Sequence, residues 1–425
     1  MKRLTLTFML LFVVAACAAR AEVRTIKIDL DRESQIYTCG ETAQFTIAVL
    51  DENAQAVAKG TLKLSFKNDF RGEISESTYD LSQGNPVVVR EKLPVPGFLS
   101  LSASAEGRTS LAAAAFEPEK IEQGAPMPSD FEAYWRGLQK KLRDETDLGL
   151  ELEKIDSLSN DRATIYRISV NTLDGARVHG FLGIPTGDGP FPLVVNVPGA
   201  GPGTGPNVGW TRNGLATLVM NVFPYACSLD PKERQTQYNE YHKTLASGLR
   251  YCYDGAPDRD KYFFRNAYLG IDRAIDYALS RPDIDSSRVG YNGVSQGGAS
   301  GLILGGLNRK FKWIVSSVPA LCDHDGAKKD RSPGWPKIYD VVKDPAVEQM
   351  GPYFDAVNFA RFIDCPIRVT VGFIDTTCSP SSVYAAYNVI PSTDKHILNE
   401  PKLGHGTGGQ HSNAVQWLVD NLKRR

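Results

Sequence analysis

The stretch Val289-Gly290-Tyr291-Asn292-Gly293-Val294-Ser295-Gln296-Gly297-Gly298 decides the fold. It reads as a short apolar strand, then Gly-x-Ser-x-Gly, then a helical run rich in Ala, Leu and Ile. A serine on so tight a strand-to-helix turn adopts a strained backbone, and Gly293 and Gly297 flank it because a Cβ there would collide with the neighbouring strand and helix. The turn lifts the Ser295 hydroxyl clear of the sheet and aims the Gln296 amide at one point. This order favours a nucleophile over an incidental serine in a glycine-rich loop.

Apolar runs on both sides of this turn predict a parallel sheet. They occupy residues 193–197, 216–220, 313–315, 367–371 and 396–398. Near-continuous apolar strands are typical of sheets that helices cover on both faces. Helical segments lie between them, such as the one that carries Ala267, Ile271 and Ala274 and stops at Arg281-Pro282. The alternation predicts an α/β layer architecture.

A serine nucleophile needs a histidine base, and in α/β-hydrolases the order along the chain is serine, acid, histidine. Four histidines follow Ser295: His324, His396, His405 and His411. His405 lies in Gly404-His405-Gly406, after the last apolar strand, where a base can reach the serine. His396 lies within a strand and is expected to be committed to packing, while His411 opens the last helix as a surface residue. We predict His405 as the base.

The acid that orients the base is predicted to be Asp375, in a polar turn just beyond the strand at 367–371. Asp364 precedes that strand and so lies at the wrong edge of the sheet. Asp323 follows an earlier strand and is the second candidate. Asp323-His324-Asp325 is weak evidence for a metal site. We predict no metal and no cofactor.

The oxyanion hole is predicted to combine the amides of Gln296 and Ala200. Ala200 lies in Pro198-Gly199-Ala200-Gly201, the loop after the first central strand. The stretch Gly199-Ala200-Gly201-Pro202-Gly203 is not a phosphate cradle, because Thr204 replaces the required glycine and two prolines remove N–H donors.

The N-terminus has the features of a secretory signal, which we assign to residues 1–21. A positive Met1-Lys2-Arg3 precedes a short apolar segment at 4–16, too short to span a bilayer. Two ways of processing this signal stay open. Ala19-Arg20-Ala21 fits a cleavage site, while Val14-Ala15-Ala16-Cys17 resembles a lipobox with Cys17 lipidated. The protein is therefore expected to be periplasmic or secreted, or an outer-membrane lipoprotein, and a lipid anchor at Cys17 would be its one membrane contact.

Residues 22–118 are predicted to form an all-β, immunoglobulin-like sandwich, since short alternating strands recur between turn signals. We expect this domain to act as a spacer or packing partner rather than a sugar-binding module. A Glu/Gly/Pro-rich linker ends in Ser129-Asp130-Phe131-Glu132, which predicts a capping box. Residues 119–425 are predicted to form the catalytic domain. Within it, Asp174-Gly175 predicts a β-hairpin whose second strand holds a structural His179.

Composition excludes several function classes. The net charge is −1, so no basic field attracts nucleic acid or an anionic membrane. The seven cysteines are scattered and form no C-x-x-C, which indicates neither zinc nor a redox dithiol. Most are expected to be small buried hydrophobic residues.

The catalytic half resembles the acetyl xylan esterase/cephalosporin C deacetylase family of α/β-hydrolases. The resemblance covers roughly residue 126 to the C-terminus, and its motifs are Pro128-Ser129-Asp130-Phe131-Glu132-Ala133-Tyr134-Trp135, Arg281-Pro282-Asp283-Ile284-Asp285, Gly293-Val294-Ser295-Gln296-Gly297-Gly298, Val318-Pro319-Ala320-Leu321-Cys322-Asp323, Gly372-Phe373-Ile374-Asp375-Thr376-Thr377-Cys378 with Ala385-Ala386-Tyr387-Asn388, and Gly404-His405-Gly406. It implies an α/β-hydrolase fold with Ser295 as nucleophile, Asp375 as acid, His405 as base and Gln296 as an oxyanion donor. Where many members read His-Gly-Tyr, this chain reads Pro198-Gly199-Ala200, which changes the wall of the acyl pocket.

The hypothesis that follows is an exported serine esterase that removes acetyl groups from plant polysaccharides or oligosaccharides. Two alternatives stay open: an exported serine peptidase of the oligopeptidase type, and a non-catalytic carbohydrate-binding protein on a hydrolase scaffold. No acidic cluster that would bind a peptide N-terminus is evident. Trp210 and Trp335 are candidate sugar-stacking walls, each equally compatible with the core. The remaining substrate-binding residues and the oligomeric state are not predicted.

Overall fold

The structure, a computed structural model, describes residues 22–424. The predicted signal segment, with Cys17 and both predicted processing sites, lies outside the described residues. Within 22–424 no helix is both long and apolar enough to cross a membrane. All six cysteines of this range are free, and four of them are buried, as expected for small hydrophobic residues.

The first part of the described chain is all-β. Its strands are β1 (Thr25–Leu30), β2 (Ile36–Tyr37), β3 (Ala43–Leu50), β4 (Thr61–Asn68), β5 (Gly72–Asp80), β6 (Val87–Glu91), β7 (Gly97–Ala105) and β8 (Arg108–Phe116). They form a three-stranded sheet in the order β1-β3-β6 and a five-stranded sheet in the order β2-β8-β7-β4-β5. The two sheets bury a common core, in which Phe45 of β3 contacts Phe66 of β4 edge to face. We call residues 22–118 the N-terminal domain.

The second part is built on one nine-stranded sheet. Its strands are β9 (Glu151–Lys154), β10 (Ala163–Asn171), β11 (Arg177–Pro185), β12 (Phe191–Asn196), β13 (Ala216–Met220), β14 (Ile284–Val294), β15 (Trp313–Ser317), β16 (Ile367–Gly372) and β17 (Lys395–Glu400). Their order is β17-β16-β15-β14-β12-β13-β11-β10-β9. The strands from β12 to β17 are parallel, and β9 to β11 add an antiparallel edge. The sheet is therefore mixed, with the predicted parallel strands at its centre.

Ten helices surround this sheet in the described chain: α1 (Phe131–Glu145), α2 (Val208–Arg212), α3 (Pro231–Thr244), α4 (Phe263–Ser280), α5 (Gln296–Asn308), α6 (Ile338–Val341), α7 (Val347–Met350), α8 (Ala356–Ala360), α9 (Pro380–Asn388) and α10 (Gly409–Lys423). Alternate residues of β12 show why its sequence is continuously apolar. Leu193 and Val195 join the core with α4 and α5, while Val194 joins a second core with α10 on the opposite face.

The hairpin at Asp174-Gly175 is present, and the capping box is not. Asp174 and Gly175 both have positive φ, 59° and 72°, between the paired strands β10 and β11. Helix α1 begins at Phe131, so its N-cap is Asp130, whose side chain makes no capping bond. Because the helix starts one residue late, Glu132 is not at the third position; it pairs instead with Arg309 at 3.1 Å.

Candidate active site

Ser295 occupies the strained turn between β14 and α5. Its backbone has φ 58° and ψ −119°, a conformation that residues with a side chain rarely adopt. A Cβ on Gly293 would lie 2.3 Å from the carbonyl oxygen of Gly297, and one on Gly297 would lie 2.1 Å from that of Val197. Both glycines are thus required by the close approach of strand and helix.

The end of β15 and the loop that follows it hold the Ser295 backbone through two hydrogen bonds. The Ser295 amide donates to the carbonyl of Ser317 at 2.9 Å, and the Ala320 amide donates to the carbonyl of Ser295 at 3.1 Å. Two further residues of this loop, Val318 and Leu321, have positive φ of 39° and 52°. The strained turn at Ser295 is therefore hydrogen-bonded to a neighbouring segment that is itself strained.

His405 lies between Ser295 and Asp375. Its Nε2 is 3.0 Å from Ser295 Oγ, and its Nδ1 is 2.8 Å from Asp375 Oδ2. A carboxylate accepts hydrogen bonds, so Nδ1 carries the proton and Nε2 is free to accept one from the serine. The three side chains that the sequence singled out are brought within hydrogen-bond distance of one another.

Two contacts hold the loop that carries His405. At its start, the Ile374 amide donates to the carbonyl of Leu403 at 3.2 Å, which ties it to the loop that carries Asp375. At its end, Glu400 of β17 accepts a hydrogen bond of 2.8 Å from the Gln410 amide in the first turn of α10. Acid and base are thus fixed to each other by backbone contacts as well as by their side chains.

Asp375 is fully buried and its oxygens are satisfied. Oδ1 accepts from the amides of Thr377 and Cys378 at 2.8 and 2.9 Å, and Oδ2 faces His405. These bonds satisfy both carboxylate oxygens and fix the direction of the side chain. The arrangement is suited to orient an imidazole and to stabilise it when it becomes charged.

The other histidines lie elsewhere. His411 is half-buried rather than on the surface, and its Nδ1 is 2.8 Å from Ser317 Oγ. His396 was expected to be committed to packing, and this is wrong: it is exposed on the edge strand β17, 3.3 Å from Asp394. His324 is buried, and burial lowers its pKa to about 4. His179 sits on β11, as predicted, and does not approach the triad.

Asp323, the second candidate acid, is engaged away from His405. Its Oδ1 accepts from the Gly124 amide at 2.6 Å and its Oδ2 pairs with Arg331 at 3.1 Å. Burial raises the pKa of Asp323 to about 6. Its role is to hold the interdomain linker, because Gly124 belongs to that segment.

The predicted oxyanion donors lie on two neighbouring segments. Gln296 is the first residue of α5, where backbone N–H groups have no intrahelical partner. A Cβ on Gly199 would lie 3.9 Å from Ser295 Cβ, so the loop after β12 borders the nucleophile. Ala200 follows on this loop and is exposed, and among residues 22–424 its amide has no protein acceptor.

Cys378 is a further side chain beside the triad. Asp375, Cys378 and His405 each place a potential metal-ligand atom within 4.8 Å of the others. Burial, however, raises the pKa of the Cys378 thiol, so the metal-binding thiolate is disfavoured, and Asp375 and His405 already bond to each other. Two of the three ligand atoms are thus already engaged with each other and the third is disfavoured as a thiolate, so this group is poorly suited to hold a metal.

Tyr251, which is fully buried, connects the turn at Ser295 to the half-buried Trp335, and we call this pair the aromatic wall. The Tyr251 hydroxyl donates to the side-chain oxygen of Gln296, and the ring centroids of Tyr251 and Trp335 are 6.4 Å apart. Trp335 is half-buried, and its amide donates to the carbonyl of Thr377 at 3.0 Å. Trp210 instead packs near the α10 core. No sequence motif pointed to Tyr251, because it lies in the connection between α3 and α4, outside the predicted strands and helices.

Comparison with known proteins places this geometry in a family context. A sequence model of the acetyl xylan esterase family (AXE1) matches residues 117–421, starting just after the N-terminal domain's last strand. Over 363 residues the chain is 29% identical to acetyl esterase Axe7A of Xylanibacter ruminicola, a match that covers 84% of this chain and 81% of that protein.

Two solved structures are similar in fold. Acetyl xylan esterase 1 from Thermoanaerobacterium sp. JW/SL YS485 matches with a TM-score of 0.60 and 24% identity, over 72% of this chain and 98% of that one. The acetyl xylan esterase from Paenibacillus sp. R4 matches with a TM-score of 0.59 and 24% identity over the same shares. Each match covers nearly the whole length of the solved structure, so the catalytic domain shares its α/β-hydrolase fold with both of them.

Proposed function

The chain belongs to the acetyl xylan esterase family, and from this premise we propose that it is a serine esterase that removes acetyl groups from plant polysaccharides or oligosaccharides. Membership makes it a carboxylic-ester hydrolase. The observation that carries the serine mechanism is the pair of distances from His405, 3.0 Å to Ser295 Oγ and 2.8 Å to Asp375 Oδ2.

The first half-reaction transfers the acetyl group to the enzyme. Ser295 Oγ attacks the acetyl carbonyl carbon while His405 Nε2 takes the hydroxyl proton. The negative charge that develops on the carbonyl oxygen is stabilised by the Gln296 amide, with the Ala200 amide as the second donor. The C–O bond to the sugar then breaks, and His405 returns the proton to the departing sugar oxygen.

The second half-reaction releases acetate. Water loses a proton to His405 and attacks the acetyl-enzyme carbonyl, the same amides hold the oxyanion, and the proton returns to Ser295 Oγ as acetate leaves. Asp375 keeps its hydrogen bond to His405 Nδ1 throughout and stabilises the imidazolium. Each oxyanion donor contributes about 3 kcal/mol to transition-state stabilisation.

The substrate side of the proposal draws on Trp335, the half-buried member of the aromatic wall. Its indole is 6.4 Å, between ring centroids, from Tyr251, whose hydroxyl contacts Gln296, and an indole face can stack on a sugar ring. Arg250 lies over Trp335, with its guanidinium carbon 5.9 Å from the ring centroid, and adds hydrogen-bond donors for sugar hydroxyls. The acetyl xylan esterase family supports a carbohydrate substrate for this surface.

We further propose that the protein is exported and that residues 22–118 form an immunoglobulin-like sandwich. Export is supported by the charge and apolar pattern of residues 1–21, and an extracellular or periplasmic site is where plant polysaccharide is met. The sandwich is supported by two sheets that share one apolar core.

The test is acetate release from acetylated xylan by the parent and by Ser295→Ala. The variant should lose on the order of 10⁴-fold or more in kcat. Ser286→Ala, an exposed serine on the same strand, is the matched control and should keep full activity. A Ser295→Ala protein that keeps most of its deacetylase activity would remove the mechanism. Faster turnover of aminoacyl chromogenic substrates than of acetyl esters would favour a peptidase instead.

A further inference from the structure

The turn between β4 and β5, residues 68–72, projects from the N-terminal domain into the catalytic domain. Asp69 and Phe70 both have positive φ, 51° and 59°. Strand β7 holds this strained turn: the Asp69 amide donates to the carbonyl of Phe98 at 2.6 Å, and the Phe70 amide donates to Ser100 Oγ at 2.7 Å. The N-terminal domain therefore presents the Asp69 side chain in a fixed direction.

Asp69 is fully buried, and the hydrogen-bond partners of its side chain all belong to the catalytic domain. The Ser381 hydroxyl and the Ser332 amide, the latter at 3.2 Å, both donate to its Oδ2. Ser381 is the second residue of α9, so this carboxylate lies at the positive end of that helix. Burial raises the pKa of Asp69 to about 6, opposed by its serine contacts and by the charge of Arg331.

Both segments that Asp69 contacts border the loop of the catalytic acid. Helix α9 begins at Pro380, two residues after Cys378, whose amide donates to Asp375. Ser332 starts the segment that leads to Trp335, and the Trp335 amide donates to the carbonyl of Thr377 at 3.0 Å. Asp69 thus contacts Ser381, which follows the loop of the catalytic acid, and Ser332, which precedes Trp335 of the aromatic wall.

A bridging lysine links the same two segments independently. Lys337 Nζ donates to Ser332 Oγ and to the carbonyl of Thr376, each at 3.1 Å. The Ser379 hydroxyl also donates to the carbonyl of Ser332. Residues 332–337 and 376–379 therefore form one hydrogen-bonded unit, and Asp69 is the group that the N-terminal domain contributes to it.

Two further contacts from the same turn reach residues 330 and 340 of the catalytic domain, on either side of Trp335. Arg71 makes a bidentate pair with Asp340, at 3.0 and 3.1 Å. The Gly72 amide donates to the carbonyl of Asp330 at 3.2 Å, and a Cβ on Gly72 would lie 2.9 Å from that oxygen. A spacer domain would not need backbone contact this close to the segment that carries Trp335.

We propose that the N-terminal domain is a positioning element of the active site and that Asp69 is its positioning residue. It holds the loop of Asp375 and the segment of Trp335 in the arrangement that the reaction requires. The inference rests on the proposed serine mechanism, since it concerns the acid of that mechanism. Asp69 itself does not touch the reacting atoms.

The experiment compares Asp69→Ala with Glu73→Ala in the full-length protein. Ser381 and Ser332 both donate to Oδ2 of Asp69, so alanine removes both hydrogen bonds, whereas asparagine would keep an acceptor oxygen. Glu73 lies on the same hairpin, is exposed and, among the described residues, pairs with Lys67, so the control makes the same truncation outside the interface. Turnover of 4-nitrophenyl acetate is measured per active site, with the sites counted by complete labelling with a fluorophosphonate. Asp69→Ala should lower kcat per labelled site by about tenfold or more while KM changes by less than twofold. Glu73→Ala should match the parent.

Counting labelled sites separates positioning from folding. If Asp69→Ala only unfolds part of the sample, the number of labelled sites falls while kcat per site is unchanged, and the inference is overturned. If Asp69→Ala cannot be purified, Ser381→Ala removes one of the two bonds from the catalytic side and should also lower kcat per site, whereas an unchanged kcat in that variant overturns the inference. Ser295→Ala tests the mechanism separately: an active Ser295→Ala ends the proposed function, while an inactive one beside a normal Asp69→Ala ends only this inference.

Discussion

At the scale of single residues, the acid is the member of the triad whose surroundings are most completely determined. Asp375 has three donors around two oxygens: the amides of Thr377 and Cys378 and the imidazole of His405. Every one of these groups donates, so the position is built for an acceptor only. A side chain of the same shape that carries an NH₂ group must turn a donor toward another donor.

We therefore predict that Asp375→Asn lowers kcat by on the order of 10³- to 10⁴-fold with a small change in KM. If the new amide NH₂ faces His405, Nδ1 must accept, so Nε2 carries the proton and cannot take one from Ser295. Steady-state kinetics with 4-nitrophenyl acetate measures this effect. Asp364→Asn, an exposed carboxylate just before β16, is the control. A loss of less than tenfold for Asp375→Asn would mean that another group supplies the acid.

The triad was predictable at this scale because position relative to strands restricts the candidates. Ser295, Asp375 and His405 each follow the C-terminal end of a parallel strand, and these ends meet at one edge of the sheet. Tyr251 was not predictable, because its contact with Gln296 depends on how an irregular insertion folds back. His396 was misjudged because period-two alternation does not reveal that β17 is an edge strand.

At the scale of elements, the contact between α1 and α4 contains a buried carboxyl group outside the active site. Asp272 of α4 accepts a 2.8 Å hydrogen bond from Gln139 of α1, while its other oxygen, Oδ1, has no protein partner among the described residues. Burial, and then the nearby charge of Asp276, raises the pKa of Asp272 from 3.8 to about 6. Ionisation of this group therefore opposes folding.

The sign of the pH effect follows from the raised pKa. Between about pH 4 and pH 6 the folded protein holds the Asp272 proton more tightly than the unfolded chain does, so this group's contribution to stability falls as pH rises. Above pH 6 the full cost, of the order of 3 kcal/mol, remains. Asp272→Asn removes the charge and keeps an acceptor for Gln139. The variant should thus melt at a higher temperature than the parent at pH 8, and the difference should shrink toward zero at pH 4.

Thermal unfolding of Asp272→Asn and of the parent across pH 4 to 8 measures this difference in melting temperature. The titration of groups that both proteins contain cancels in the difference. Asp144→Asn is the comparison, since Asp144 of α1 is exposed and pairs with Lys140. It should not stabilise the protein at pH 8. A gap between Asp272→Asn and the parent that is the same at every pH would contradict the assignment.

The type of the main elements was predictable, and some of their limits were not. The apolar runs at 193–197 and 216–220 became β12 and β13, because a strand covered on both faces leaves no room for polar residues. The capping box at Ser129 failed because a turn that ends with the Phe131 amide donating to the carbonyl of Pro128 delays the helix by one residue. The local sequence is compatible with an N-cap at Ser129 or at Asp130, and the structure has the N-cap at Asp130.

At the scale of the whole molecule, the two domains share part of one core. Phe98 of β7 packs edge to face on Phe373, with ring centroids 5.1 Å apart, and lies 5.7 Å from Tyr384. Phe98, Ala113 and Ala115 bury their side chains with the catalytic domain's core rather than with their own. This docking was not predictable, because alternation along β7 and β8 shows that both faces are apolar without showing what covers the outer one.

We predict from this shared core that the two domains of the parent unfold together and that Phe98→Ala uncouples them. Truncating a buried phenylalanine costs about 3–5 kcal/mol, and here the loss falls on the interface. All five tryptophans lie beyond residue 118, so their fluorescence reports the catalytic domain alone, whereas far-UV circular dichroism reports both domains. The two signals should give one melting temperature in the parent and two in Phe98→Ala.

Val88→Ala, an exposed apolar truncation on β6, is the control. Because Val88 is 47% exposed, its truncation should leave the fluorescence and circular-dichroism transitions coincident. Separate transitions already in the parent would show that the interface does not couple the domains, and coincident transitions in Phe98→Ala would show that the polar contacts of Asp69 and Arg71 suffice without the aromatic cluster.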